Sequence, residues 1–427
     1  MGSQPTRTFW VYVALLAGSL SAGCASFPLQ PYHVMSVESW QRTEALRNAS
    51  PPLTANRAAS LSGRSQTQVK ARLKSLWHMS TTLDALVNRN GLLATRYSQL
   101  DTIPGRAFRS REIEVPHLGT MVRVRAIEAF QADRRLPLVI GVSGINGTVD
   151  GKSTVDILQS LYDSGEFHVM HLESLTSVNH QVRNQQPFLG GFPEGLLLYR
   201  VAAELRSSPD LSEQISQIHL LGLSFGGLLC GIAAHCEDKI QSGVVDGAVL
   251  ALSPPMDLAT LFDNLNHSPL IHDRVHRGYL KDGVRRYFRH NEFGLNAGEL
   301  AHLKFDSYMR RLAFPQFQKS YARLKEECFD LATVNDADGL YAISSVRPHL
   351  DSLGVPYFFI FAYDDPVLSP ADHFQRTLRA CSNPLVDGLL VEHGGHLGFD
   401  LVTGYPFTSR AALEYFRYWS TTLPNAS

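Results

Sequence analysis

Short apolar runs alternate with amphipathic helical patterns along most of the chain. The runs Leu136–Val142, Ile218–Leu223 and Tyr357–Phe361 are almost wholly apolar, which is typical of strands buried on both faces of a parallel sheet. Helical patterns lie between such runs, for example at Ser153–Tyr162 and Glu194–Leu205. This alternation predicts an α/β fold, with a mostly parallel sheet covered by helices on both faces.

The same two patterns predict the remaining elements. An antiparallel pair precedes the parallel strands, at Glu112–Val115 and Met121–Glu128, because apolar and polar residues alternate there. The other predicted strands are His168–Leu172, Gly247–Leu252 and Leu389–Glu392, and the other predicted helices are one that ends near Cys236, Pro370–Ala380 and Arg410–Tyr418.

Two regions depart from this alternation. Residues 24–110 combine a proline-containing linker with a helical pattern from Ser65 to Asn90, which predicts a helix that docks on the main domain or binds a partner. Residues 255–355 lack buried-strand runs, which predicts a helical cap inserted into a domain of residues 111–427. We expect both ends of this insertion at the sheet edge that carries the functional groups.

Aromatic residues are frequent in the insertion. They would either line a lid over an apolar substrate pocket or form the core of the cap itself. These residues are Phe262, Tyr279, Tyr287, Phe288, Phe293, Phe305, Tyr308, Phe314 and Phe317.

Composition excludes several classes of function. The chain has 427 residues, with 39 Lys and Arg against 40 Asp and Glu, so it lacks the positive excess of a nucleic-acid-binding protein. Five cysteines in this length exclude a disulfide-rich miniprotein. No Cys and His set has zinc spacing and no phosphate-binding loop occurs, so we expect no metal and no cofactor. The oligomeric state is not indicated.

The N-terminus has the features of a bacterial export signal. Arg7 precedes the apolar run Phe9–Leu20, which is too short to cross a bilayer. The sequence SAGC at residues 21–24 resembles a lipoprotein lipobox, with serine where leucine is usual. The resemblance implies a signal peptide of residues 1–23, a lipid on Cys24 and, because Ala25 follows, an outer membrane location facing the periplasm. The alternative is an ordinary secretory signal.

Ser224 is the predicted nucleophile. It lies in the sequence GLSFGG, residues 222–227, between the predicted strand Ile218–Leu223 and a helix. Glycines there permit a sharp strand-to-helix turn that exposes the serine hydroxyl. The N-terminus of the helix favours negative charge beside it. The alternative is a glycine-rich turn with a purely structural role.

A base and an acid follow at later strand ends. His396 follows the strand Leu389–Glu392, and Asp364 and Asp365 follow Tyr357–Phe361. Functional groups gather at the carboxyl ends of strands in an open α/β sheet. We expect His396 to take the serine proton and Asp365 to orient the imidazole. Asp364 is the alternative acid and His393 is the alternative base.

The negative charge that develops on a substrate carbonyl oxygen needs two hydrogen-bond donors. The Phe225 amide, directly after the nucleophile, is one expected donor. The other is expected from the glycine-containing loop after Leu136–Val142, where Ile145 is the candidate. The alternative is a turn without a role.

Together these motifs resemble the α/β-hydrolase superfamily, and within it the YheT-like branch. The motifs are GLSFGG at 222–227, SPPMDL at 253–258, FDSYMRR at 305–311, YDDPVLSP at 363–370 and GGHLGF at 394–399. The resemblance covers residues 112–420 and implies Ser224 as nucleophile, Asp365 as acid and His396 as base. It also implies hydrolysis of carboxylic esters, often with acyl or lipid chains.

The chain departs from the family pattern at two places. The usual His-Gly of the oxyanion loop is Ser143-Gly144 here, and the usual Arg-Gly is absent from LESLTSVNH at residues 172–180. These departures leave substrate preference open. The sequence predicts a membrane-anchored serine esterase or lipase. The alternatives are an acyltransferase or amidase that uses the same triad, or a non-catalytic lipoprotein that serves as an interaction platform.

Overall fold

The computed structural model describes residues 66–87, 108–145, 147–149, 151–186, 191–267, 305–326, 334–400 and 407–423. Most predicted strands and helices are confirmed within one to three residues at each end, except as noted below. The strands are β1 (Arg109–His117), β2 (Thr120–Ala129), β3 (Leu136–Val142), β4 (His168–Leu172), β5 (Ile215–Leu223), β6 (Val249–Leu252), β7 (Tyr357–Ala362) and β8 (Val386–Val391).

Helices connect and cover these strands. The α-helices are α1 (Gln66–Val87), α2 (Lys152–Asp163), α3 (Val178–Asn184), α4 (Phe192–Ser207), α5 (Phe225–Ile240), α6 (Leu258–His267), α7 (Phe305–Tyr308), α8 (Phe314–Glu326), α9 (Ala337–Ser344), α10 (Arg376–Ala380) and α11 (Phe407–Thr422). Short π-helices cover Met309–Ala313 and Ala371–Gln375, and a 3₁₀-helix covers Arg347–Ser352.

The strands of the described residues form one sheet in the order β1-β2-β4-β3-β5-β6-β7-β8. β1 and β2 pair antiparallel, as predicted, and β2 pairs antiparallel with β4. The pairs from β4 through β8 are all parallel. The predicted mostly parallel sheet is therefore confirmed, and the carboxyl ends of β3 to β8 lie along one edge.

Apolar side chains from both faces of the sheet are buried. On β3, Leu138 and Ile140 face the cluster that includes α4 and α5, and Val139 faces the cluster that includes α1, α2 and α11. All nine residues of β5 and all six of β7 are buried. Burial on both faces is the physical reason for the continuous apolar runs in the sequence.

Helix α1 docks on the main domain, which is the first of the two alternatives for this helix. Leu73 and Trp77 are buried against the sheet and α11, and the Trp77 ring lies 5.0 Å from that of Phe407, edge to face. Lys70 Nζ lies 2.6 Å from Asp387 Oδ1 at the end of the same interface.

The insertion does not start and end at one edge of the sheet, and that expectation is wrong. It leaves the carboxyl end of β6 and re-enters at the amino end of β7, and because these strands are parallel, the two ends lie at opposite edges. Its described parts, α6 to α9, are helical.

Three of the aromatics in the insertion, Phe262, Tyr308 and Phe317, belong to the hydrophobic core, as in the packing alternative. Tyr279, Tyr287, Phe288 and Phe293 lie outside the described residues.

Two elements differ from the sequence-based expectation. The helix predicted at Pro370–Ala380 begins as a π-helix and becomes α-helical only at Arg376. Helix α3 was not predicted, because its sequence VNHQVRN is short and mostly polar. It is stabilised by the Ser177 side chain, which caps its N-terminus by accepting from the His180 amide.

Candidate active site

Ser224 lies at the turn between β5 and α5, at the carboxyl edge of the sheet. Its backbone has φ +52° and ψ −123°, a region that residues other than glycine rarely adopt. The Ser224 amide donates to Leu252 O on β6 at 2.8 Å, and Ser224 O accepts from the Gly227 amide at 2.8 Å. The sheet on one side and the helix on the other therefore hold the strained turn.

Two glycines of the GLSFGG sequence are required by close backbone contacts. A Cβ atom on Gly222 would lie 2.4 Å from Gly227 Cα, and one on Gly226 would lie 2.2 Å from Val142 O on β3. Neither position has room for a side chain. The turn is thus packed tightly against the neighbouring strand, which fixes the position of the Ser224 backbone.

His396 joins Ser224 to Asp365 through two hydrogen bonds. Its Nε2 lies 2.8 Å from Ser224 Oγ, and its Nδ1 lies 2.9 Å from Asp365 Oδ2. A carboxylate only accepts, so the proton belongs on Nδ1 and the Nε2 lone pair accepts from the serine hydroxyl. This is the geometry in which an imidazole can remove the proton of a serine nucleophile.

Asp365 is held by its own turn. Its Oδ1 accepts from the amides of Val367 at 2.8 Å and Leu368 at 3.0 Å, which leaves Oδ2 for His396. The Asp365 side chain is fully buried and that of His396 is 10% exposed. A buried, oriented carboxylate can both fix the imidazole tautomer and stabilise the imidazolium that forms during reaction.

The two alternative residues lie beside this chain of hydrogen bonds. Asp364 Oδ1 accepts from the Gly395 amide at 2.8 Å, and Asp364 Oδ2 lies 3.4 Å from His393 Nδ1. The His393 side chain is 68% exposed. Asp364 therefore holds the loop that carries His396, and the structure gives neither residue a contact with Ser224.

The loop that carries His396 has an unusual backbone. Gly394 and Gly395 have φ +153° and +53°, and Leu397 has φ +69°. The Gly398 amide closes the turn by donating to Gly394 O at 2.7 Å. Positive φ is costly for residues other than glycine, which explains the two glycines before His396. Together these turns bring the imidazole back to the sheet edge, within hydrogen-bond distance of Ser224.

The loop between β3 and α2 lies beside Ser224, on the side away from the loop that carries His396. A Cβ atom on Gly144 would lie 3.1 Å from Ser224 Cβ. Ile145 follows, half-buried against the hydrophobic core. Phe225, the second expected donor, begins α5, where backbone N–H groups point along the helix axis toward its N-terminus. The role of both amides stays a prediction, since it depends on where a substrate oxygen would lie.

His373 is a buried histidine near the carboxylate of the site. It lies on the π-helix after Asp365, and its Nδ1 accepts from the Met256 amide at 3.2 Å. Burial lowers the pKa of His373 to about 4. At neutral pH it is therefore uncharged, and it does not compete as a cation with His396 for Asp365.

Sequence reasoning missed a polar cluster beneath the β3–α2 loop. His171 on β4 contacts Ser143 Oγ through Nε2 at 2.9 Å, and Ser143 Oγ lies 2.9 Å from Thr154 Oγ1. The signal in the sequence was a histidine near the carboxyl end of the otherwise apolar strand HVMHL. A buried polar residue in such a strand needs a partner, but the sequence does not say which.

Other features lie away from this site. No group of metal-ligating side chains occurs among the described residues, and within those same ranges no helix is long and apolar enough to span a membrane. A surface cavity of about 300 Å³ lies at the amino edge of the sheet, beside the Arg417–Glu166 ion pair. Since Ser224 is at the carboxyl edge, this cavity is not part of the site.

Comparison with known proteins places these features in a family context. Residues 214–401 match the family described as alpha/beta hydrolase fold, a segment that includes Ser224, Asp365 and His396. A curated human relative, Protein ABHD15, is 40% identical over 76 residues, which is 16% of this chain and 16% of that protein. The matched segment is therefore far shorter than the human protein.

Solved structures with a similar fold include two esterases. An esterase of Pyrococcus furiosus is 13% identical, covers 75% of this chain and 94% of its own, and has a TM-score of 0.46. Naproxen esterase of Bacillus subtilis is 14% identical, covers 76% of this chain and 96% of its own, and has a TM-score of 0.40. The family match over residues 214–401 and the mixed, mostly parallel sheet confirm the expected α/β-hydrolase fold.

Proposed function

We propose that this protein is a serine hydrolase that cleaves carboxylic esters through an acyl-enzyme intermediate. The observation that carries the proposal is the pair of hydrogen bonds from His396, 2.8 Å to Ser224 Oγ and 2.9 Å to Asp365 Oδ2. The strained backbone of Ser224 supports it, because such strain persists where the surrounding structure holds a functional group in place.

In the acylation step, Ser224 Oγ attacks the carbonyl carbon of the ester while His396 Nε2 accepts the hydroxyl proton. The carbonyl oxygen becomes negatively charged and accepts hydrogen bonds from the amides of Phe225 and Ile145. When the intermediate collapses, the bond to the alcohol oxygen breaks. His396 then donates its proton to that oxygen, and the alcohol leaves.

Deacylation repeats these steps with water. His396 Nε2 accepts a proton from water as the water oxygen attacks the acyl carbon, and the same two amides stabilise the new oxyanion. Collapse releases the carboxylic acid and returns the proton to Ser224. Asp365 keeps its negative charge throughout and stabilises the imidazolium in both steps.

The substrate that we propose carries an acyl or lipid-like chain, and the enzyme acts at a membrane. The support is the lipobox-like sequence SAGC at residues 21–24, which would attach the mature protein through Cys24 to the bacterial envelope, at the outer membrane facing the periplasm. Residues 1–65 lie outside the described part of the chain. An enzyme held at a lipid surface meets lipid esters at high local concentration.

Labelling with a fluorophosphonate tests the proposal without knowledge of the natural substrate. The probe reacts only with an activated serine, so the wild type should be labelled and should hydrolyse p-nitrophenyl esters. Ser224→Ala should abolish labelling and lower kcat by about 10⁶ if the three residues act as a unit. Ser216→Ala is the matched control, because Ser216 lies near the start of β5, the strand that leads to Ser224, at the opposite edge of the sheet.

The outcomes separate the alternatives. A wild type that is neither labelled nor active would favour the non-catalytic platform. Labelling with turnover of anilides instead of esters would indicate an amidase. Products that carry the acyl group on an added alcohol would indicate an acyltransferase.

A further inference from the structure

The interior of the β3–α2 loop is occupied by an imidazole. His171 is fully buried in β4, and its Nδ1 lies 2.7 Å from Val149 O while its Nε2 lies 2.9 Å from Ser143 Oγ. Ser143 and Val149 are the two ends of the loop segment that passes Ser224. One ring therefore connects both ends of this segment.

The hydrogen-bond pattern assigns the tautomer of the neutral ring. A carbonyl oxygen only accepts, so His171 Nδ1 carries a proton and donates it to Val149 O. In the neutral ring Nε2 is then an acceptor, and Ser143 Oγ donates to it. Ser143 Oγ can in turn accept from the Thr154 hydroxyl, 2.9 Å away on α2. The side chains of His171, Ser143 and Thr154 therefore supply one another, and Val149 O, with hydrogen-bond partners.

The loop is packed closely onto this cluster. A Cβ atom on Gly147 would lie 2.3 Å from Ser143 Cβ, and one on Gly151 would lie 3.3 Å from Ser143 Oγ. The loop is also held by Gly147 O, which accepts from the Ser174 amide at 3.0 Å. Burial of a polar group is costly unless it is hydrogen-bonded, so these contacts tie the loop to one position.

We propose that His171 is the positioning residue that holds the oxyanion loop, residues 143–145 and 147–149, against the nucleophile. His171 itself touches no reacting atom. It acts through Ser143 and Val149, and the position of Gly144 beside Ser224 depends on them. This inference rests on the proposed function for its catalytic consequence, and on the loop geometry alone for its structural consequence.

The structural consequence is tested by hydrogen exchange, which needs no activity. His171→Phe fills the space of the ring without either hydrogen bond. Exchange of peptides within residues 143–151 should become at least about tenfold faster, with little change elsewhere. The matched control is His168→Phe, which removes a fully buried imidazole from the opposite end of the same strand. His168 accepts from the Gln131 amide at 3.0 Å, remote from the loop.

The catalytic consequence is tested by kinetics of the same variants. His171→Phe should lower kcat and the rate of fluorophosphonate labelling about 10- to 100-fold, since both reactions use the oxyanion donors. KM should change less than about twofold, because substrate binding is not the lost interaction. His168→Phe should leave kcat unchanged even if it lowers the melting temperature.

Partial rescue distinguishes positioning from packing. His171→Gln places an amide near the position of Nε2 and should keep the Ser143 contact, so it should retain more activity than His171→Phe. Ser143→Ala should add nothing further to His171→Phe, because both remove the same interaction. Unchanged loop exchange in a folded His171→Phe protein would overturn the proposal. Faster loop exchange in His171→Phe, together with a wild type that hydrolyses no ester, would overturn only the proposed function.

Discussion

Two adjacent carboxylates, Asp364 and Asp365, have different partners at the site. Asp365 accepts from His396 Nδ1 and from two amides of its own turn, and its side chain is fully buried. Asp364 is 39% exposed and accepts from the Gly395 amide. These two neighbours in the sequence thus bind different parts of the loop that carries His396: Asp365 binds the imidazole and Asp364 binds a backbone amide.

Substitution of these carboxylates should therefore have different effects. Asp365→Asn should lower kcat about 10⁴-fold, because an amide favours the wrong imidazole tautomer. Asp364→Asn should cost far less, since the amide oxygen still accepts from the Gly395 N–H. Asp364→Ala should cost more than Asp364→Asn, because it releases the loop. Initial rates with p-nitrophenyl acetate measure all three, and the reverse ranking of the two asparagine variants would reassign the acid.

At the scale of elements, α1 is part of the folded domain. Its apolar residues complete the second core cluster, opposite the face that α4 and α5 cover. Trp77 is 4% exposed and packs edge to face on Phe407 of α11. The helix thus packs against β8 and α11 and covers part of the sheet face that it shares with α2 and α11.

Removal of the Trp77 side chain should destabilise the domain. Trp77→Ala should lower the free energy of unfolding by about 3–5 kcal/mol, the usual cost of deleting a large buried aromatic. Urea unfolding followed by circular dichroism measures this. Ser75→Ala, at an exposed position of the same helix, should change it little. An unchanged midpoint for Trp77→Ala would mean that α1 unfolds independently of the sheet.

At the scale of the whole molecule, buried neutral histidines make stability depend on pH. Burial lowers the pKa values of His219 and His235 to about 3 and that of His373 to about 4. The unfolded chain binds these protons near pH 6.5, so it is favoured as the pH falls below that value. Glu237 and Asp400 act in the opposite direction, because burial raises their pKa values to about 7 and about 6.

His219 offers a direct test of this dependence. Its Nδ1 accepts from the Ala248 amide at 2.8 Å, so protonation would place two donors face to face. Its stability contribution should be complete above pH 6.5 and fall toward pH 3, by at most about 1.4 kcal/mol per pH unit. His219→Asn keeps an acceptor for that amide and should flatten the fall in urea midpoint between pH 6.5 and 4. The same slope as wild type would contradict this, and exposed His78→Asn is the control.

Attachment to a membrane through Cys24 would determine where the whole molecule is located. If Cys24 carries the lipid, wild type expressed in a Gram-negative host should incorporate labelled palmitate and sediment with membranes. Cys24→Ser should incorporate none and should appear in soluble or unprocessed form. A wild type that incorporates no fatty acid would leave an ordinary secretory signal as the explanation of residues 1–23.

The local pattern of apolar residues and glycines was enough to predict most strands and helices and the motifs at the candidate site. Strands such as β3 and β5 were predictable because burial on both faces requires a continuous apolar run. Ser224 was predictable because a strand-to-helix turn needs glycines at fixed positions around it. Helix α3 was not, because its stability comes from a cap at Ser177 and from contacts with the domain instead of its own apolar pattern.

The sequence by itself determined the fold class, the strands of the sheet and a short set of candidate residues at their carboxyl ends. Only the tertiary structure decided between Asp364 and Asp365 as the partner of His396, and which edge of the sheet the insertion returns to. It alone brought His171 to the two ends of the oxyanion loop. The reason is that a hydrophobic period records which face of an element is buried, whereas a hydrogen bond between distant residues depends on strand order and register, which leave no local pattern.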